Sequence, residues 1–237
     1  ADHTGGVGAV VQQLQPAAAL GSLLPQERAS LGISSATPWR DCMAGQTWTW
    51  DGVRFTVLHP MQAGDDAGIA RSGNSRSCVL RIEAAPANGQ APASALLAGD
   101  LEKAQEQLLI NTLPNGRALQ SDVLLVPHHG SNTSSTEAWL QAVRPRWALV
   151  QNGYRNRFHH PASAVQGRYA AQQIPLVSTV DCGAALWQSD APLALQCERH
   201  RSQRFWRHPA AELHHDGATP APDTEDSQPV LTMPEDG

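Results

Sequence analysis

Three segments of this chain place a potential metal ligand just after an apolar, strand-like run or in the loop beyond it. They are residues 96–100 (Leu-Leu-Ala-Gly-Asp), residues 123–131 (Val-Leu-Leu-Val-Pro-His-His-Gly-Ser) and residues 156–161 (Asn-Arg-Phe-His-His-Pro). Metal ligands must be held to within fractions of an ångström, and rigid strands are suitable platforms for them. Asp and His together suit Zn²⁺, Mn²⁺ or iron rather than Ca²⁺ or Mg²⁺. The pattern therefore predicts a metal site supported by a sheet.

Strand-like and helical segments alternate through most of the chain. Predicted helices cover residues 7–14, 101–110, 136–143 and 162–172, and predicted strands cover residues 47–50, 53–58, 78–82, 94–98, 122–126, 147–151, 176–179 and 184–187. Strongly apolar strands that alternate with helices predict an α/β fold, in which helices cover a sheet. Asp51 and Gly52 are a strong turn signal for a hairpin between the first two strands. Residues 16–32 show no clear period.

Length and composition indicate one main domain followed by a tail. The 237 residues, 41% of them hydrophobic and 16% charged, can bury one substantial core. From about Pro209 the chain is rich in Pro, Asp and Glu without periodicity, which is typical of disorder. We therefore expect a domain over residues 1–208 and a disordered tail over residues 209–237. No apolar run approaches the roughly 18 residues of a membrane helix.

Arginine supplies nearly all the positive charge, because Lys103 is the only lysine in a chain of net charge −5. The arginines concentrate near and after the late His motifs, and Phe205 and Trp206 lie among the last of them. They are Arg144, Arg146, Arg155, Arg157, Arg168, Arg199, Arg201, Arg204 and Arg207. Guanidinium groups and aromatic rings suit the phosphates and bases of a single nucleic-acid strand. A coding bias towards arginine and a solvated surface explain the same pattern equally well.

The four cysteines contain no Cys-x-x-Cys pair, which makes a zinc knuckle or a thioredoxin-like site a poor explanation. Cys182 and Cys197 lie at the ends of an apparent hairpin, where a disulfide would indicate an oxidising compartment such as a periplasm. The alternative, of equal weight, is four buried free thiols in a cytoplasmic protein. His59 ends a strand before Pro60 and is interpreted as a structural or loop histidine rather than a ligand.

Taken with residues 74–80 (Asn-Ser-Arg-Ser-Cys-Val-Leu), the three motifs resemble the C-terminal metallo-β-lactamase-like domain of the ComEC family, the bacterial channels for DNA uptake. The likeness covers about residues 1–190. It implies an αββα sandwich. Asp2 and His3 match the final Asp-His of the His-x-His-x-Asp-His signature of that superfamily, so we expect the domain to be incomplete at its N-terminus.

The resemblance implies a two-metal site, with two divalent ions, Zn²⁺ or Mn²⁺, as cofactors. Asp2 and His3 are expected to bind one metal, Asp100 to bridge two, and His128 and His160 to complete the coordination. His160 matches the family position before Pro161, where the family has Gly in place of the extra His159. No histidine lies between His59 and His128, so the third-motif histidine of hydrolytic superfamily members is absent.

Between the adjacent histidines, His128 is preferred as the ligand over His129, because only one of two neighbouring side chains faces a site from an extended segment. His129 is then a proton donor or a phosphate contact, and Asp100 and His129 are the expected catalytic residues. Ser131, Arg155 and Arg157 are the candidate substrate contacts. Ser131 lacks the surroundings of a nucleophile elbow, so we do not interpret it as a nucleophile.

The function that the resemblance implies is a nuclease domain of a DNA uptake channel, degrading the strand that is not transported. Two metal ions about 3.5–4 Å apart activate water and stabilise charge on phosphate oxygens. Expected partners are DNA and other competence proteins. We expect an inner-membrane protein whose soluble domain lies in the periplasm, attached through its missing N-terminal part. The alternatives are a hydrolase of thioesters, lactones or β-lactams, and a non-catalytic DNA-docking module.

The incomplete signature leads to a further expectation about this stretch of chain. Without the two preceding histidine-signature residues one metal would lack ligands, and without the preceding strands a sheet edge would be exposed. We therefore expect the isolated fragment to be inactive and poorly soluble.

Overall fold

A seven-stranded mixed sheet is the main element of the computed structural model, which describes residues 3–61, 73–85, 92–113 and 117–202. The strands are β1 (Ala19–Gly21), β2 (Trp39–Asp41), β3 (Thr47–Trp50), β4 (Val53–His59), β5 (Val79–Glu83), β6 (Ser94–Leu97), β7 (Val123–Leu125), β8 (Trp147–Val150), β9 (Leu176–Ser178), β10 (Ala185–Trp187) and β11 (Leu195–Cys197). The helices are α1 (Val7–Leu14), α2 (Pro25–Ser30), α3 (Lys103–Thr112), α4 (Glu137–Val143), α5 (Ser163–Ala171), α6 (Thr179–Cys182) and α7 (Glu198–Arg201). The predicted tail over residues 209–237 lies outside the described residues.

Strands β3 to β9 form the large sheet in chain order, so each strand pairs with its sequence neighbour. Strands β3 to β6 are antiparallel, and β6 to β9 are parallel. Helices α3, α4 and α5 each connect two successive parallel strands, as crossover connections require. The carboxyl ends of parallel strands meet at one edge, so the loops after β6, β7 and β8 lie together.

The core explains why the parallel strands read as continuous apolar runs. Leu124 of β7 is fully buried in the larger cluster, with Leu109 of α3, Leu140 of α4 and Tyr169 of α5. Its neighbour Val123 points the other way, into a smaller cluster that includes Cys182 and Cys197. The sheet is therefore covered on both faces, by three helices on one and by the β10–β11 hairpin region on the other.

The α/β class predicted from the sequence is confirmed by this arrangement. In the described residues there is one large sheet, together with the two-stranded pairs β1–β2 and β10–β11. The expected αββα sandwich stays a prediction. The predicted hairpin is confirmed at Asp51 and Gly52, whose φ values of 47° and 78° suit a tight two-residue turn between twisted strands.

Two disulfides join the four cysteines, and no described cysteine is free. Cys182–Cys197 links the end of α6 to β11, which agrees with the disulfide interpretation of the sequence. Cys42–Cys78 links the chain after β2 to the residue before β5, and the sequence reading did not anticipate it. The alternative of four free thiols is wrong for this structure.

A buried carboxylate on α3 fixes the start of α4. Glu106 is fully buried, and its two oxygens accept hydrogen bonds from the backbone N–H groups of Ser135 and Thr136. Arg168 donates from α5 to the carbonyl oxygens of Ser134 and Ser135, at 2.9 and 2.6 Å. Burial raises the pKa of Glu106 above its usual range, against the lowering effect of the Thr136 N–H. The loop after the paired histidines is therefore held by two of the crossover helices, α3 and α5.

We predict that the protein, unfolded without reductant, reacts with no thiol reagent, and that four cysteines react after reduction. Replacing Cys182 and Cys197 together by Ser should lower the free energy of unfolding by about 3 kcal/mol, because the bond closes a loop of 15 residues. Mass spectrometry of the alkylated protein and urea unfolding measure the two effects. Alkylation of any cysteine before reduction would contradict the pairing.

We predict that Glu106→Ala lowers the free energy of unfolding by at least about 1–3 kcal/mol, the cost of leaving a buried N–H unpaired. Glu137→Ala is the matched control, because Glu137 is exposed in the first turn of α4 and should cost less than about 1 kcal/mol. Urea unfolding with an unchanged m-value is the measurement. Equal effects of the two substitutions would show that the buried carboxylate does not fix the loop.

Candidate metal centre

Asp100 reaches the carboxyl edge of the sheet through a tight turn after β6. Gly99 has a φ of 56°, a left-handed conformation that favours glycine. The Ser77 Oγ accepts a hydrogen bond from the Asp100 N–H at 3.1 Å. The Asp100 side chain is only 16% exposed, so its carboxylate is held in a partly desolvated position.

The two histidines after β7 do not lie on an extended segment, contrary to the premise of the sequence reading. His128, His129 and Gly130 have φ values of 49°, 53° and 80°, so three consecutive residues are left-handed. In this turn the side chains do not alternate between two faces, and both rings approach the site. The argument for choosing only one of them therefore fails at this position.

His3, Asp100 and His129 bring three potential ligand atoms together. The Nε2 atom of His3 lies 2.9 Å from Oδ1 of Asp100 and 3.1 Å from Nε2 of His129, and the His129 Nε2 lies 3.5 Å from the same Oδ1. Ligands about 2.0–2.1 Å from a tetrahedral ion are separated by about 3.3 Å from one another. The triangle therefore has the dimensions of one face of a tetrahedral metal site.

Two details of the hydrogen bonding fit a metal at this position. The Oδ1 of Asp100 is buried and no described residue meets hydrogen-bond geometry with it, although the Nε2 of His3 lies 2.9 Å away, so this oxygen is available as a ligand atom. The Nδ1 of His129 lies 2.8 Å from the Gln151 carbonyl oxygen and donates to it. The lone pair of His129 is consequently on Nε2, the atom that faces Asp100.

His128 belongs to a second polar group beside the first. Its Nδ1 lies 3.2 Å from the Thr133 hydroxyl and 3.3 Å from a Glu102 carboxylate oxygen, and its Nε2 lies 3.4 Å from the Asn74 amide nitrogen. The Asn74 amide also donates to Glu102, at 3.3 Å. The geometry thus favours His129 over His128 in the three-residue cluster, the reverse of the preference drawn from the sequence.

Glu102 and Asn74 are the members of the site that the sequence reading did not select. Asn74 lies in the motif over residues 74–80, and Glu102 follows Asp100 by two residues at the start of α3. The signal available in the sequence was a carboxylate two residues after a predicted ligand.

His160 lies at the margin of this group rather than inside it. Its ring centroid is 6.1 Å from that of His128 and 5.6 Å from that of Phe158, on which it stacks. Burial lowers the pKa of His160, and the neighbouring His128 and His129 lower it further, while Asp100 opposes them. The backbone N–H of His160 donates to the Asn156 side chain at 2.9 Å.

The predicted substrate contacts occupy different surroundings. Ser131 is buried, and its hydroxyl lies 3.2 Å from that of Thr133, so it is engaged within its own loop. Arg155 and Arg157 are exposed on the loop before His160. His59 is 1% exposed and its Nδ1 lies 2.7 Å from the Ser77 carbonyl oxygen, which agrees with a structural role. Asp2 lies outside the described residues.

Relatives of the chain are competence and recombination proteins. It is 38% identical over 169 residues to competence protein ComA of Neisseria gonorrhoeae, covering 70% of this chain and 22% of that protein. It is 32% identical to recombination protein 2 of Haemophilus influenzae, covering 70% of this chain and 18% of that protein. The ComE operon protein 3 of Bacillus subtilis is 41% identical over 48% of this chain and 13% of its own length. This chain is a ComEC-family segment.

The ComEC-family relatives are much longer than this chain, which spans about a fifth of the length of the first two. No family model matches the chain. Among solved structures, a mutant of the CmlA β-hydroxylase aligns with 67% of this chain and 35% of its own at 12% identity and a TM-score of 0.37, too low to support an argument. Within the part of this ComEC-family chain that the structure describes, no helix has the length and apolar character needed to cross a bilayer.

We predict that the chain binds Zn²⁺ or Mn²⁺ and that His129→Ala weakens binding more than His128→Ala. Loss of a ligand should cost more than the roughly 10–100-fold typical of losing an outer-shell partner. Competition with a chromophoric chelator measures the affinities. His159→Asn is the control, since His159 is exposed, left-handed and outside the cluster. A larger loss in His128→Ala would overturn the assignment of His129.

Proposed function

We propose that this chain is the metal-dependent nuclease domain of a ComEC-family DNA uptake protein, with a metallo-β-lactamase fold. Its reaction is hydrolysis of phosphodiester bonds in the DNA strand that is not transported. The observation that carries the proposal is the cluster of His3, Asp100 and His129, with ligand atoms spaced as around one ion. Membership of a family of competence proteins supports DNA as the substrate.

The chain's own residues supply the ligands and orient them. Asp2, His3, Asp100, His129 and, beside them, His128 and His160 are the residues that would hold two divalent ions, Zn²⁺ or Mn²⁺. Such ions, when bound, activate water and stabilise charge on phosphate oxygens. The Gln151 carbonyl fixes the ring of His129, and Glu102 with Thr133 fixes the ring of His128.

His160 has the protonation state that a metal ligand requires in this proposal. Its lowered pKa favours the neutral imidazole at neutral pH, which has a lone pair available for an ion. Arg155 and Arg157, exposed on the same loop, are placed to contact phosphates. Ser131 is buried, so in this proposal it stabilises the turn and does not contact a phosphate directly.

The disulfides are evidence for the compartment in which the domain functions. Two disulfides in a chain without a free described cysteine suit an oxidising compartment. We therefore place the domain on the periplasmic side of the inner membrane, where incoming DNA is met. Other competence proteins are its proposed partners.

Cleavage of DNA by the product of the complete gene tests the proposal. Purified protein with added Mn²⁺ or Zn²⁺ should degrade linear DNA, and Asp100→Asn should lower the rate at least about 100-fold, because several kcal/mol of charge stabilisation are lost. His159→Asn should cleave normally. Cleavage is followed by gel electrophoresis of labelled DNA, with chelator added to parallel samples.

The other outcomes separate the rival functions. Bound metal without cleavage of any DNA would refute the nuclease and favour a hydrolase of thioesters, lactones or β-lactams. DNA binding without bound metal would refute it in favour of a non-catalytic docking module.

A further inference from the structure

The loop between β8 and α5 exposes two aromatic rings beside the candidate metal centre. Tyr154 is 66% exposed and Phe158 is 63% exposed, which places them among the most exposed large hydrophobic residues of the described chain. A single exposed aromatic residue needs no explanation. Two within five residues, at the edge of a cluster of metal-binding side chains, indicate a surface that receives a flat, apolar group.

Each ring is paired with an arginine from the same loop. The Arg155 guanidinium lies 5.2 Å from the centroid of the Tyr154 ring, and the Arg157 guanidinium lies 4.7 Å from that of Phe158. Both rings stay largely exposed beside these guanidinium groups. The loop therefore presents two exposed aromatic rings, each with a positive charge next to it. We call residues 152–160 the aromatic loop.

The aromatic loop is held in one conformation by two asparagines. Asn156 donates to the carbonyl oxygens of Gly153 and His160, at 3.2 and 2.7 Å, and accepts from the His160 N–H at 2.9 Å. Asn152 donates to the same His160 oxygen at 3.2 Å and accepts from the Ser178 hydroxyl at 2.7 Å. A surface loop braced in this way loses little entropy when a ligand binds.

Ring contacts run from the aromatic loop to the candidate metal centre. Phe158 and His160 stack with an interplanar angle of 25°, and the His160 ring meets that of His128 edge-on, at 6.1 Å between centroids. A cavity of about 440 Å³ lies against this loop and is lined in part by Asn152, Arg155 and His160. That volume is within the roughly 300–1,000 Å³ of small-ligand sites.

We infer that Tyr154 and Phe158 stack unpaired bases of a single-stranded nucleic acid, while Arg155 and Arg157 contact its phosphates. Aromatic faces with adjacent cations suit a single strand, whose bases expose both faces, and not a duplex, whose base faces are covered by their neighbours. The inference rests on the proposed nuclease function and names its substrate: single strands and frayed ends are delivered to the metal centre in preference to intact duplex.

Binding in the presence of chelator tests the inference apart from hydrolysis. Fluorescence anisotropy is measured with the complete gene product and three labelled probes of equal length: oligothymidylate, a strand of abasic sugar phosphates, and a blunt duplex. The wild type should bind oligothymidylate more tightly than the abasic strand. The two probes have the same charge, but only oligothymidylate has bases. Each stacked base should contribute roughly tenfold in affinity.

The variants separate stacking from charge and from folding. Tyr154→Ala with Phe158→Ala should remove the preference for oligothymidylate over the abasic strand, whereas Tyr154→Phe and Phe158→Tyr should keep it. Arg155→Gln and Arg157→Gln should each weaken binding to both single-stranded probes and reduce its salt dependence by about one charge. Trp50→Ala, at a 68% exposed ring on the distant hairpin, and Arg54→Gln are the matched controls.

The outcomes distinguish failure of the inference from failure of the proposed function. Equal affinity of the wild type for oligothymidylate and the abasic strand, or unchanged preference in the double alanine variant, would overturn the inference even if DNA is cleaved. The protein could instead show a base preference that depends on Tyr154 and Phe158 but cleave no DNA when metal is added. That result would uphold the binding site and refute the nuclease. Tighter binding to the duplex than to oligothymidylate would also overturn the inference.

Discussion

Contact between the loops after β7 and β8 is the constraint on which the candidate site depends. A Cβ added to Gly130 would lie 2.6 Å from Cβ of Pro161, and the Gly130 carbonyl accepts the N–H of Ala162 at 2.9 Å. The same two loops are joined where His129 donates to the Gln151 carbonyl. Only glycine permits this approach with a φ of 80°, and the approach aims the His129 lone pair at Asp100. The glycine of the His-His-Gly motif and the proline of the His-Pro motif are therefore required by the contact between the two loops as much as by metal chemistry.

Much of the fold was predictable because its elements carry local signals. The helix over Val7–Leu14 and the hairpin strands around Asp51 and Gly52 were predicted to within a residue, since period and turn chemistry agree there. Strands β1 and β2 and helix α2 were not predicted, because these short segments show no clear period and do not alternate with the helices that mark the main sheet. The Cys42–Cys78 bond was not predictable either, since it joins positions that only the tertiary fold brings together.

The site was predictable as a set of residues but not as a geometry. Asp100 and His129 were selected from motifs that follow apolar strands, and the structure brings both to His3. The choice of His128 over His129 assumed an extended backbone, whereas His128, His129 and Gly130 are three consecutive left-handed residues. Glu102 was overlooked because its role depends on α3 facing the histidine loop, a relation between elements 26 residues apart in sequence, from position 102 to position 128.

One connection, the loop between β8 and α5, determines the orientation of a candidate metal ligand and also carries the aromatic surface. Its first residue supplies the carbonyl that fixes His129, and its asparagines fix the backbone that exposes Tyr154 and Phe158. A chain of net charge −5 gains no overall attraction for DNA, so affinity has to come from local contacts. Two arginines yield only a modest salt-dependent contribution, which leaves stacking as the larger source of binding on this loop. Preference for unpaired bases would then follow from the charge balance of the chain as well as from the shape of the loop.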